Sequence, residues 1–166
     1  MFDDDNTDIE SHCTNEENGR DTTIGLIALI DDLVDTIIEK YGEDEASGIM
    51  YNSGNKLGKR VGKKCGHIED ISDALEALVT YIMPYYEIEI DDIYNVDDET
   101  VANVSFEECI IRMICGERGL EIPGPLCKCT KGYIEGALSH ITGRHVELKH
   151  MGIEDCCCIG QITFGN

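Results

Sequence analysis

The sequence predicts an α+β domain in which about five helices pack on a four-stranded antiparallel sheet made of two hairpins. Five segments of the chain repeat apolar residues at the spacing of an amphipathic helix. Shorter segments carry strand patterns, and these occur in adjacent pairs. Because the helices are segregated from the antiparallel strands, the sequence predicts an α+β layer arrangement. The length of 166 residues fits a single domain.

Three helices are predicted before the first strand. The first begins near Thr22 and ends at Gly42. The second covers about residues 44–65, and the third covers about residues 70–83 and is stopped by Pro84. Each of the three has apolar residues concentrated on one face, so each is expected to pack on a core through that face.

Glycines recur at four-residue spacing on two of the predicted helices. Gly54, Gly58 and Gly62 form a stripe on the second helix, and Gly132 and Gly136 lie one turn apart on the fifth. Each glycine destabilises a helix by about 1 kcal/mol relative to alanine. We therefore expect these stripes to permit close approach by another backbone.

The first hairpin and a fourth helix are predicted in the middle of the chain. Residues 86–90 alternate between apolar and acidic side chains, and a second strand covers about residues 100–104 after an acidic turn. The motif Ser105-x-x-Glu108 has the form of a capping box. The fourth helix is therefore predicted to begin at Ser105.

The last part of the chain predicts a helix followed by the second hairpin. The fifth helix follows a break at residues 121–125 and ends at Gly143, the expected C-cap. Residues 144–150 and 156–164 are predicted as two short strands that flank a turn at residues 151–155.

The charge of the chain makes some classes of partner unfavourable. The sequence has 34 acidic residues against 13 Lys plus Arg, a net charge of −21, which argues against nucleic acid and anionic membranes. No apolar run is long enough to enter a bilayer and no signal peptide is recognisable, so we expect a cytoplasmic protein. Residues 1–21 are acidic with few apolar side chains and predict a disordered tail, which leaves residues 22–166 as one domain.

The nine cysteines favour free thiols, metal ligands or redox chemistry over a disulfide framework, because a secretion signal is lacking. Five of them lie in the last quarter of the chain, together with a Glu-x-x-His motif. The candidate ligands there are Cys127, Cys129, Glu147, His150, Cys156, Cys157 and Cys158. Thiolates and imidazole suit zinc, and four thiolates would suit an iron–sulfur cluster. The residues alone leave both alternatives open, since the usual chelating pair is missing.

Strand geometry restricts how the last of these ligands could meet. Cys156 and Cys158 share one face of a strand while Cys157 lies on the other. Glu147 and His150 are three residues apart, so they can share a face only if a bulge or the strand end occurs at His150.

The other cysteines and histidines are assigned by their local setting. Cys127 and Cys129 lie at the start of the fifth helix, where the helix dipole is expected to lower a thiol pKa. Cys65, Cys109 and Cys115 are predicted to be small core residues. The histidines at positions 12, 67 and 140 are expected to be exposed, capping or packing residues, and that at position 145 is given no role.

The C-terminal forty residues resemble the C-terminal half of the 4-vinyl-reductase domain, a hydrocarbon-binding family. The matching pieces are Pro125-Leu-Cys127, Gly132-Tyr133-Ile-Glu-Gly136, Gly143, Glu147-Leu-Lys-His150 and Cys158. His150 stands where the family usually has a cysteine. Imidazole is also a zinc donor, so the resemblance is compatible with a changed donor set.

The resemblance implies a fold, an oligomeric state and a site. The fold is α+β, shared with TRAPP vesicle-tethering subunits and distantly with haem domains that sense nitric oxide. The implied protein is a homodimer with a small hydrophobic molecule buried among its helices and a structural zinc nearby. By analogy the zinc ligands are Cys127, Glu147, His150 and Cys158, with Cys129 and Cys156 as reserves.

The sequence thus predicts non-catalytic binding of a small hydrophobic or aromatic molecule by a zinc-stabilised, sensor-like domain. One alternative is a cysteine-based redox or iron–sulfur protein, or a reductase-associated enzyme subunit. We find no flavin or nicotinamide motif, which disfavours a reductase. Another alternative is a dimeric adaptor in which the ligand is only a structural filler. The sequence does not identify the ligand, because tertiary packing assembles an apolar pocket.

Overall fold

A computed structural model describes residues 15–84, 86–155 and 157–165. It contains the helices α1 (Asn15–Tyr41), α2 (Glu43–Cys65), α3 (Ile71–Ile82), α4 (Ile110–Arg118) and α5 (Pro125–Thr142). It also contains the strands β1 (Tyr86–Val96), β2 (Glu99–Cys109), β3 (Val146–Glu154) and β4 (Cys157–Phe164). The predicted α+β class, with five helices and two hairpins, is confirmed. Cys156, one of the predicted reserve ligands, lies outside the described residues.

The four strands form one antiparallel sheet in the order β1-β2-β4-β3. The hairpins are joined in the middle, where β2 pairs with β4. Alternate residues of these two strands, including Val104, Phe106, Ile162 and Phe164, are buried against the helices. A smaller apolar cluster joins α1, α4 and α5. None of the helices in the described ranges is both long and apolar enough to cross a membrane.

Helices α2 and α5 pack with their backbones almost in contact, as the glycine stripes predict. A Cβ added at Gly58 would lie 2.0 Å from the carbonyl oxygen of Tyr133, and one added at Gly136 would lie 2.4 Å from that of Asn55. The stripes of the two helices are therefore reciprocal. Backbone contacts this close allow weak Cα–H···O bonds between helices, which helps to offset the poor helix propensity of glycine.

The capping-box prediction at Ser105 is wrong. Residues 105–109 continue strand β2, and α4 begins only at Ile110. The stretch pairs with β1 on one side and with β4 on the other, for example Phe106 with both Ile88 and Cys158. Ladder hydrogen bonds on two sides outweigh one capping interaction, and the Ser105 hydroxyl instead donates to Asp91 at 3.4 Å.

Three boundaries also differ from the prediction. Helix α1 begins at Asn15 instead of Thr22, so residues 15–21, predicted as part of the tail, are helical, and residues 1–14 lie outside the described part of the chain. Strand β1 extends to Val96. Strand β3 continues through residues 151–154, which were predicted as a turn, because they pair with β4 up to Glu154.

Candidate functional site

A cleft of about 350 Å³ lies where the start of α5 meets one end of the sheet. Its apolar walls include Phe106 of β2, Leu148 of β3 and Ile159 of β4, and residues 122–123 border it from the loop that precedes α5. The volume lies at the lower end of the range for small-molecule sites, about 300 to 1,000 Å³.

The sheet register brings the walls of the cleft together. Phe106 pairs with Cys158, and His150 pairs with Gly160, which follows Cys158 by two residues on β4. Gly160 has no side chain to fill the space: an added Cβ would lie 3.1 Å from Leu148 Cδ1 and 3.2 Å from Phe106 Cε2. The absence of a side chain at Gly160 therefore lets two apolar walls from different strands approach each other.

A buried carboxylate fixes the Leu148 wall. Glu135 of α5 is 4% exposed, and its Oε1 accepts a hydrogen bond from the backbone N–H of Leu148 at 2.7 Å. Its Oε2 accepts a hydrogen bond from the Tyr51 hydroxyl of α2 at 2.6 Å, and Lys131 lies 3.4 Å from Oε1. Glu135 thus connects α2, α5 and β3, and it positions one side of the cleft.

Among the described residues, three cysteines line the cleft: Cys109, Cys127 and Cys158. Burial raises the pKa of the Cys109 and Cys158 thiols above the ordinary value. Thiols with a raised pKa stay protonated at neutral pH and are poor nucleophiles. At these two positions the cleft therefore presents small, weakly polar surfaces instead of thiolates.

The predicted metal ligands separate into two groups. Cys127, His150 and Cys158 line the cleft, whereas Cys129 and Glu147 do not. The backbone of Cys129 packs against α2, where its carbonyl oxygen would lie 2.0 Å from a Cβ at Gly54. The start of α5 therefore contributes one of its two cysteines to the cleft.

The predicted lowering of a thiol pKa by the helix dipole is wrong at Cys129. Burial raises the pKa of this thiol, because desolvation between α5 and its neighbours favours the neutral thiol over the thiolate. Its position two residues after Cys127 also places the two thiols on different sides of α5. Cys129 therefore lies apart from the cleft that Cys127 borders.

The predicted bulge in β3 occurs too late to bring Glu147 and His150 to one face. Pairing with β4 is regular from Val146 to His150, and the register shifts only between His150 and Gly152. Glu147 is exposed and lies 4.0 Å from Lys131. Within residues 15–84, 86–155 and 157–165, no three His, Cys, Asp or Glu side chains form a group that could hold a metal ion.

The sequence interpretation identified Cys109 only as a small core residue. It does pack against both apolar clusters, and it also lines the cleft and borders a second cleft of about 410 Å³ beside Arg112 and Met113. Phe106 was missed because its segment was assigned to a helix. Apolar and polar side chains alternate over residues 103–107, and this is the signal that would have continued the strand.

Comparisons with solved structures find this fold elsewhere. The phenol-responsive sensory domain of the transcription activator PoxR, solved with phenol, is 14% identical with a TM-score of 0.64, and the match covers 84% of this chain and 74% of that one. Subunit 3 of a trafficking protein particle complex from Naegleria fowleri, covalently bound to palmitic acid, is 16% identical with a TM-score of 0.60, and the match covers 85% of this chain and 93% of that one.

The TM-scores establish a shared fold, and at these low identities the likeness is one of fold alone. The predicted relation to vesicle-tethering subunits is confirmed at that level. No protein-family model matches the chain, and no curated protein matches it in sequence.

Proposed function

We propose that this protein is a non-catalytic, sensor-like domain of the 4-vinyl-reductase type, which binds a small hydrophobic or aromatic molecule in the cleft. The observation that carries the proposal is the composition of the cleft walls. They are formed by Phe106 and Leu148 with the protonated thiols of Cys109 and Cys158. Burial of a ligand's apolar surface against such walls contributes about 25 cal/mol per Å² to the free energy of binding. These two thiols offer no activated nucleophile.

The structural neighbours support the same class of ligand. One is a sensory domain solved with phenol, and the other is covalently bound to palmitic acid. Both molecules are largely apolar, although they differ in size. The likeness is one of fold, so the composition of the cleft itself is the stronger support for the ligand class.

Calorimetric titration with two probes, phenol and octanol, tests the proposal. We expect saturable binding of at least one of them. The variant Cys158→Phe fills the cleft from β4 and should weaken that binding at least about tenfold, because the bulk of the added ring occupies the ligand volume. Thr163→Phe is the matched control, since it adds the same ring to the same strand outside the cleft.

The absence of saturable binding of either probe, or equal binding by Cys158→Phe and the wild type, would refute the proposal. Equal weakening by Thr163→Phe would show that the Cys158 substitution acts through the fold instead of through the cleft.

The redox and iron–sulfur alternatives have less support. A cluster needs several thiolates directed to one point. Cys129 lies outside the cleft, and the Cys157 thiol donates a hydrogen bond to Glu107 at 3.0 Å. Cys157 and Cys158, as successive strand residues, lie on opposite faces of β4. Purified protein without visible absorbance is the outcome that agrees with the ligand-binding proposal.

The zinc remains a prediction. Of the four predicted ligands, Cys127, His150 and Cys158 are suitable donors that border one cleft, whereas Glu147 does not line it. The described side chains do not form a ready metal group, so no part of the ligand-binding proposal depends on zinc. Elemental analysis tests the prediction: stoichiometric zinc that is lost in Cys127→Ser would support it, and zinc content unchanged by both Cys127→Ser and His150→Ala would contradict it.

We also propose that the protein is a homodimer formed through α1. Leu26, Leu29 and Leu33 lie on one side of this helix and are 56%, 64% and 57% exposed, respectively. A row of exposed leucines on a long helix is typical of a protein interface. Sedimentation of Leu29→Glu should show a smaller species than the wild type, whereas Val96→Glu, at an exposed apolar site on β1, should not. A monomeric wild type would contradict the proposal.

A further inference from the structure

The charges around the cleft differ from those of the rest of the chain. Acidic residues outnumber Lys and Arg by 34 to 13 over the whole sequence. None of the fourteen residues that line the cleft in the described part of the chain is acidic, whereas three are lysines: Lys128, Lys131 and Lys149. The cleft is therefore a local cationic site on a strongly anionic protein.

Two of these lysines can bind an anionic ligand through their ammonium groups. Lys131 already lies 3.4 Å from Glu135 and 4.0 Å from Glu147. Lys128 and Lys149 are exposed, and neither forms an ion pair with another residue of the described ranges. Lys128 borders the cleft from α5, and Lys149 borders it from β3, which lies at the edge of the sheet.

The neighbouring cleft provides an internal contrast. It is slightly larger, about 410 Å³, and shares Cys109, but its charged lining residues are Glu87, Glu108 and Arg112. An anion entering that cleft would meet two carboxylates. The concentration of lysines without acids therefore distinguishes the cleft at the start of α5 from its neighbour.

We infer that the ligand of this cleft is an amphipathic carboxylate, a small aliphatic or aromatic acid whose apolar body lies against Phe106 and Leu148 while Lys128 and Lys149 hold its carboxylate. This inference rests on the proposed function and names the ligand class more narrowly. An ionised carboxylate would gain two exposed ion pairs, and a neutral alcohol would gain neither.

Calorimetric titration of octanoate and octanol into the full chain at neutral pH tests the inference, because the two probes have chains of the same length and differ in charge. We expect octanoate to bind about tenfold more tightly at low salt. High salt should reduce that ratio by screening the lysines, with little effect on octanol.

The double variant Lys128→Gln/Lys149→Gln should bring the affinities for octanoate and octanol close together. The control Lys56→Gln/Lys59→Gln removes two exposed charges from α2, away from the cleft lining, and should retain the preference for octanoate.

Four results would overturn the inference. If wild-type protein binds octanol as tightly as octanoate, the cleft does not select a carboxylate, although the proposed apolar site stands. A preference that survives Lys128→Gln/Lys149→Gln, or that is equally lost in the α2 control, would exclude the assigned lysines. If neither octanoate nor octanol binds, the inference fails, and the proposed function fails with it only if phenol also does not bind.

Discussion

The two sides of α5 meet their neighbours in opposite ways. Toward α2, the helix presents Gly132 and Gly136, and the backbones are so close that a side chain fits at neither position. Toward the sheet, its first turns border a cleft of about 350 Å³ lined by Cys127 and Lys128. One helix thus provides both a rigid contact and one wall of a candidate binding site. Because α5 is held close to α2, the wall of the cleft that α5 forms has little room to move.

The largest effect is expected from adding a methyl group inside the rigid contact. In Gly58→Ala the new Cβ would lie 2.0 Å from the carbonyl oxygen of Tyr133, so α2 and α5 must separate. We expect the free energy of unfolding to fall by at least about 3 kcal/mol, measured by urea denaturation.

The matched control for that substitution is Gly48→Ala in the same helix. Gly48 is exposed, and nothing lies within 4 Å of an added Cβ. Alanine should stabilise α2 there by about 0.5 to 1 kcal/mol through helix propensity. Equal effects of the two substitutions would show that the contact between α2 and α5 does not restrict side-chain size at Gly58.

Removing the carboxylate that links the two sides should have the next largest effect. Glu135→Ala leaves the Leu148 N–H and the Tyr51 hydroxyl without their acceptor. We expect a loss of about 2 to 3 kcal/mol in the free energy of unfolding, against about 1 kcal/mol for Tyr51→Phe, which removes one donor. Urea denaturation measures both. Equal losses would mean that the bond to Leu148 contributes nothing.

Ligand binding should distinguish the two sides of α5 directly. With free octanol or octanoate at about ten times its dissociation constant, native-state stability rises by about 1.4 kcal/mol. In hydrogen exchange, amides at residues 148–150 and 158–160, which border the cleft, should gain local protection. Amides of residues 54–62, in the contact between α2 and α5, should change only through global opening. Local protection confined to residues 54–62 would contradict the assignment.

The smallest effect is expected at high pH. Burial and the neighbouring thiol of Cys127 raise the pKa of Cys115 to about 11, against an ordinary thiol value of about 8.5 in the unfolded chain. Between these values the folded state holds more protons than the unfolded state, so stability falls as pH rises. Cys115→Ala should flatten the fall between pH of about 8.5 and 11 in urea denaturation. An unchanged slope would exclude Cys115 as a cause.

The sequence predicted well those features that depend on local pattern. The apolar period of α5, its C-cap at Gly143 and the glycine stripe from Gly54 to Gly62 are all recognisable without knowledge of the rest of the fold. The structure confirms the cap, with Gly143 at φ 71°, and the close backbone contact. These features need one helix and its chemistry, not the position of a distant strand.

The candidate site was harder to predict because its members meet only through tertiary pairing. Cys109 lines the cleft because β2 continues beyond Ser105. The capping-box motif at Ser105 led instead to the prediction of a helix there. The late bulge after His150 depends on how β3 and β4 align. The direction of the Cys129 pKa shift depends on burial, which opposes the helix dipole. Spacing along the chain determines none of these three features.

The location of a bound ligand tests the account most directly. We expect intermolecular nuclear Overhauser effects between the methylene protons of bound octanol or octanoate and the side chains of Phe106 and Leu148, which form the walls of the cleft. Contacts to Met83 and Met113, which line the neighbouring cleft, would place the ligand elsewhere and contradict the account.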